Sequence, residues 1–172
     1  IAATNTEETA LQVAGKILND SPYPFVMLGV LKDRFTVKSY SNFGESELSF
    51  AARNLEAAQA TAQLFHELES SGPLLVEPKT IEKLGILTRF AYELGCQTAA
   101  FLPVICNARV SAVIMLGATN QELSMTSVQP YAQLADILSA TLDKIASAKQ
   151  TEQRLTEMGA LATLSQVVSA SK

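Results

Sequence analysis

The chain has 172 residues, 48% hydrophobic and 17% charged, enough to bury one sizeable core. A formal net charge of −4, with the thirteen basic residues scattered rather than clustered, excludes a surface built for nucleic acid. No unbroken apolar run reaches the roughly 18 residues that span a bilayer, no signal-peptide pattern precedes the first helix, and two cysteines, Cys96 and Cys106, suit a reducing, cytoplasmic setting. The chain begins at Ile1 rather than Met, as an excised piece of a longer protein would.

Thr4 and Glu7 stand at capping-box spacing, and Ala10, Leu11, Val13, Ala14, Ile17 and Leu18 follow at helical intervals. A helix is therefore expected over Thr4–Asn19, stopped by Asn19-Asp20-Ser21-Pro22. Phe25–Leu31 reads as a buried strand, Lys32-Asp33-Arg34 as a turn, and Phe35–Tyr40 alternates as a half-exposed strand does. Asn42–Ser71 is a helical zone of one helix or two, with Leu48, Ala52, Leu55, Ala62 and His66 along one face. Leu74–Pro78 is an edge strand or a connector. A further helix runs from about Thr80 to Gly95, a residue suited to a left-handed C-terminal cap.

The stretch from Thr98 to Ala118 is the centre of the chain. It reads as two apolar strands joined by a tight turn at Cys106-Asn107-Ala108-Arg109, too close in sequence for a parallel crossover and therefore antiparallel. Neither arm alternates between apolar and polar residues, so both faces of the sheet are expected to be covered. After Asn120 a helix begins near Ser127, with Pro130 in its first turn. Tyr131, Ala135, Leu138, Leu142 and Ile145 recur at four, three, four and three residues, the stripe of a helix packed along a partner helix. Packing of a single amphipathic helix on its own core gives nearly the same pattern. Ser147–Arg154 is polar all round. Beyond it, Thr156, Glu157, Ala160 and Leu161 repeat Thr6, Glu7, Ala10 and Leu11 at an offset of 150. The expected division is a domain over residues 1–148 and an exit or linker helix over 149–172, the latter the possible opening of a second copy.

This order, with Phe101-Leu102-Pro103-Val104 followed by Val110-Ser111-Ala112-Val113-Ile114-Met115-Leu116, resembles a GAF domain. Ala112 stands where that family often has Gly, and Asn107-Ala108 occupies a turn that usually contains one. The resemblance covers roughly Thr4 to Ser147. It implies a GAF/PAS-like α+β fold: a central antiparallel sheet, terminal helices on one face, and a small-molecule pocket or its vestige on the other. It further implies a sensory or regulatory module of a signal-transduction protein such as a two-component system, with an output domain in the same chain and homodimers formed through the terminal helices. Leu11, Tyr131, Leu138, Leu142 and Ile145 are the dimer-helix candidates.

Candidate ligand-pocket residues are Tyr40, Phe43, Phe50, His66, Arg89 and Phe90. His66 is the only imidazole and could contact a ligand or sense pH, although a histidine at the edge of a core helix with its tip in water is the better reading. Arg89 could hold an anion through its planar fork, or be an exposed helix arginine. Ordinary core packing accounts for Tyr40, Phe43 and Phe50. No cofactor, metal, nucleic-acid or membrane partner is expected: a lone histidine without a Cys/His cluster makes no zinc site.

Three chemistries known in the resembling family lack their residues here. The Asn-Lys-Phe-Asp-Glu set of cyclic-nucleotide binders is not recognisable, neither cysteine lies where bilin binders attach a chromophore, and Cys96 and Cys106 straddle a strand rather than facing each other. G-x-S-x-G, P-loop and dinucleotide motifs are absent. The leading expectation is a non-catalytic regulatory sensor. The alternatives are a structural dimerisation or spacer module with no ligand and, third, a GAF-like methionine sulfoxide reductase.

Overall fold

A computed structural model describes residues 6–32, 35–41, 62–77 and 86–170. In chain order these form α1 (Glu7–Asn19), β1 (Phe25–Leu31), β2 (Phe35–Ser41), α2 (Ala62–Ser71), β3 (Leu74–Val76), α3 (Ile86–Glu93), β4 (Thr98–Cys106), β5 (Arg109–Ala118) and α4 (Met125–Ala170). The strands make one antiparallel sheet in the order β2-β1-β5-β4-β3, so the β4–β5 hairpin is central and β2 and β3 are the edges.

Both faces of the sheet are covered, as the apolar runs require. Val26, Leu28, Leu102, Val104, Ile114 and Leu116 point to one face and meet Leu11, Ala14 and Leu18 of α1 and Val128, Ala135, Leu138 and Leu142 of α4. Met27, Phe101, Val113 and Met115 point to the other and meet Leu64, Phe65 and Leu68 of α2 and Phe90 and Ala91 of α3. The fold is thus α+β, with terminal helices on one face and a second helical layer on the other.

Local chemistry explains the element ends. Thr6 caps α1, its hydroxyl accepting from the Thr9 backbone N–H at 3.2 Å, and Thr4 lies outside the described residues. α3 ends in a Schellman motif, with Gly95 at φ +79° and the Cys96 and Gly95 N–H groups returning to the Ala91 and Tyr92 carbonyls. The β4–β5 turn puts both Asn107 (φ 54°) and Ala108 (φ 63°) in the left-handed region, the two-residue turn whose twist matches a hairpin. α4 starts earlier than the sequence pattern suggests. Ser124 and Ser127 exchange backbone-to-hydroxyl hydrogen bonds of 2.9 and 3.1 Å at its start, which leaves Pro130 in the second turn rather than the first.

The heptad stripe has its partner inside the chain. Leu138 and Leu142 are buried against the sheet together with Leu11, and Tyr131 packs edge-on against Tyr23 at 5.5 Å. Ile145 is half-buried at the margin of this contact. From Ser147 onward every described residue of α4 is exposed, yet the helix runs on without a break to Ala170. Its 46 residues make a rod about 69 Å long, roughly half of it free of the domain.

Candidate functional site

The pocket candidates do not converge among the described residues. Tyr40 pairs with Met27 across the β1–β2 ladder, so it stands on the face of the α2–α3 layer, at the edge and partly exposed. Phe90 lies in the same layer but is packed into its core. His66 projects into solvent, because Leu64, Phe65 and Leu68 form the inward face of α2. Arg89 is exposed and donates from Nε to Glu93 Oε1 at 3.2 Å, a pair one helical turn apart. Phe43 and Phe50 lie outside the described residues.

Two other features stand out. The first is the tip of the β4–β5 hairpin, which is gripped from both faces. The ladder shifts between Val104 and Ile105, where Ser111 of β5 is passed over as a bulge. On one side the Ile105 N–H donates to Ser139 Oγ at 2.9 Å and the Asn107 N–H to Asp143 Oδ1 at 3.0 Å, both on α4. On the other side the Val110 N–H donates to Glu69 Oε1 of α2 at 3.1 Å. The tip therefore links the α2 layer to the exit helix through three short polar contacts. None of the three acceptors was conspicuous in the sequence, since each lies far along the chain from its donor.

The second is a trough of about 920 Å³ between α1 and the β1–β2 ribbon, on the terminal-helix face of the sheet. Leu11 and Val30 floor it; Glu8, Gln12, Lys16 and Asn19, spaced four, four and three along one side of α1, form one wall. Thr36, Lys38 and Ser39 form the other. A strand would ordinarily send Lys38 and Ser39 to opposite faces, but the ladder shifts between Leu28 and Gly29 and skips Lys38, so both line the trough. Gly15 lets helix and strand approach closely: a Cβ there would sit 3.0 Å from the Ser39 Cβ. Links between α1 and the ribbon close both ends, Glu7 with Lys32 at 3.3 Å and Ser39 Oγ donating to Asn19 Oδ1 at 3.3 Å.

No family model and no curated protein matches the sequence. Solved structures do match the fold. A GAF domain/HD domain protein from Geobacter sulfurreducens superposes with a TM-score of 0.65 at 11% identity, covering 81% of this chain and 94% of that one. The chain has the fold of a GAF domain. The GAF domain of a two-component sensor histidine kinase from Bacillus halodurans gives 0.58 at 10% identity over 84% of this chain and 98% of its own. A type II free methionine-R-sulfoxide reductase from Thermoplasma acidophilum gives 0.58 at 11% identity over 83% and 96%. Within this GAF fold the trough lies on the face of α1 and α4, opposite the layer in which a pocket was expected.

The two thiols of this GAF-fold chain are set apart. Cys96 is buried beside Gly117, whose missing Cβ makes room for its sulfur, and burial pushes its pKa up to about 12. Cys106 lies at the far end of β4, its pKa pushed up to about 11 by desolvation and then by the hydrogen bond and charge of Asp143, with a further push from Glu7. A strand of nine residues separates them, about 30 Å end to end. Both are protonated and poorly nucleophilic near neutral pH.

Proposed function

We propose that the chain is a non-catalytic sensory domain of a signal-transduction protein that passes a signal outward along α4 in a helical dimer. The carrying observation is the continuity of α4. Its first half is packed into the core and grips the hairpin tip, while its second half is free, so a shift of the sheet moves the far end of the rod. The grip of Glu69 on the same tip supplies a route from the α2 layer to that helix. Two raised thiol pKa values at opposite ends of a strand speak against the redox chemistry of the reductase neighbour. The likeness of the tail to α1 favours a second copy of the module after the rod, with an output domain in the same chain.

The dimer seam differs from the stripe that the sequence singled out. Leu11, Leu138 and Leu142 are occupied by the chain's own core. One residue earlier in the heptad, about 100° around the helix, lies another series: Ile137, Thr141, Lys144, Ala148, Thr151, Leu155, Met158 and Ala162, at alternating steps of four and three. Ile137, Leu155 and Met158 are exposed along it, and α1 exposes Val13 and Ile17 in the same layer. These residues fit a parallel or antiparallel helical pair in a second copy.

Sedimentation equilibrium tests this directly. A dimer is expected at micromolar concentration, converted to monomer by Leu155→Glu with Met158→Glu while the helical content of the domain is kept. A chain that stays monomeric at millimolar concentration would contradict the dimeric relay.

A further inference from the structure

The geometry points to the α1–β2 trough as a binding site for a phosphorylated small molecule, its phosphate seated between Lys16 and Lys38. The trough has the size of a small-molecule site. Its shape depends on two local departures from regular structure, the bulge that adds Lys38 to the wall and the glycine that lets α1 come close. An exposed ion pair and an exposed hydrogen bond span its two ends.

Charge decides what it takes. Of the three lysines lining the trough, Lys32 is committed to Glu7, while Lys16 and Lys38 have no ion-pair partner among the described residues. Two free ammoniums on opposite walls, in a chain whose net charge is −4, form a local seat for an anion. Lysine is a point charge with three rotatable donors, which suits the several oxygens of a phosphate. The hydroxyls of Thr36 and Ser39 and the amide of Gln12 supply neutral hydrogen bonds around that seat. Glu8, toward the opposite end, repels the anionic group and accepts from a hydroxyl or amine on the remainder, fixing the orientation.

Pyrophosphate titrated into the ¹⁵N-labelled chain is the test, read by amide chemical shifts at constant ionic strength. Saturable shifts confined to Gln12–Asn19 and Thr36–Ser39 are expected. Lys16→Gln and Lys38→Gln should each weaken binding about tenfold, the loss of one hydrogen bond to a charged group, and Lys16→Arg should retain most of it. Both lysines are exposed, so an unchanged thermal midpoint separates lost binding from lost folding. Shifts that fail to saturate, that appear equally around Lys144 and Lys149, or that persist in the double Gln variant overturn the assignment. Sedimentation of the same samples reads the dimer independently, so either result can fail alone.

Discussion

Asp143 of α4 accepts a hydrogen bond at 3.0 Å from the backbone N–H of Asn107 at the tip of the β4–β5 hairpin. One turn earlier on the same helix, the Ser139 hydroxyl accepts from the Ile105 N–H and donates to the Ala135 carbonyl at 2.7 Å. The exit helix thus accepts from the end of β4 and from the turn, and these two contacts hold the helix against the hairpin tip.

Removing the inner of these two acceptors should cost more than removing the outer. The Ile105 N–H is part-buried, so Ser139→Ala leaves it without a partner and is expected to destabilise the domain by about 1–2 kcal/mol. Asp143→Ala, where water can replace the carboxylate, should cost about half as much. Urea unfolding of the two variants measures the difference, and equal losses would show that the part-buried contact has no special weight. Amide exchange at Ile105 and Asn107 should rise in the matching variant alone.

Neighbouring residues on α4 should respond in opposite ways. Leu138 is 4% exposed within the chain's own core and Ile137 is 65% exposed. Leu138→Ala should lower stability by about 2–4 kcal/mol with the association state unchanged, whereas Ile137→Ala should stay within about 0.5 kcal/mol and weaken the dimer. A destabilised monomer from Ile137→Ala, or a dissociated but stable Leu138→Ala, would reverse the assignment of the two faces.

How far the sequence speaks depends on whether one segment or several carry the information. The central hairpin was legible in its extent and antiparallel sense, because two long apolar runs flank a tight turn, but its bulge at Ser111 was not. The stripe on α4 was legible as a stripe but not in its partner, since a sheet and a second helix accept the same heptad. On α2, Leu64, Phe65 and Leu68 fill the core and leave His66 to solvent, while Leu48, Ala52 and Leu55 of the expected stripe lie outside the described residues. The trough was illegible. Lys16 and Lys38 lie on separate elements, and only topology, a bulge and a close-approach glycine bring them to one cavity.

The thiols give stability a predictable pH dependence. Both folded-state pKa values lie above the roughly 8.5 of an unfolded cysteine, at about 12 for Cys96 and about 11 for Cys106. The native state holds these protons more tightly, so their contribution is full below about pH 8.5 and is lost as pH rises toward 11–12. The urea midpoint should fall across that window, and Cys96→Ala should flatten the fall even if it lowers the starting value. A slope unchanged by Cys96→Ala would mean that other groups govern it. At pH 7 both thiols of the native chain should react slowly with a disulfide reagent.

The turn at the hairpin tip offers a gain rather than a loss. Ala108 holds φ at 63°, a conformation that costs a residue with a Cβ about 1 kcal/mol and costs glycine almost nothing. Asn107 precedes it at φ 54°, where asparagine is well suited, so Ala108→Gly creates the Asn-Gly pair that such turns favour. Part of the relief is offset by the greater freedom of glycine in the unfolded chain. The expected net gain is about 0.5 kcal/mol, a rise of roughly 1–2 °C in the thermal midpoint for a chain of this size. Because Asn107 also donates to Asp143, the gain should persist in an Asp143→Ala background: turn strain and the helix clamp are separate terms, and calorimetry of the single and double variants reads their additivity. A loss of stability in Ala108→Gly would place the strain elsewhere than in this turn.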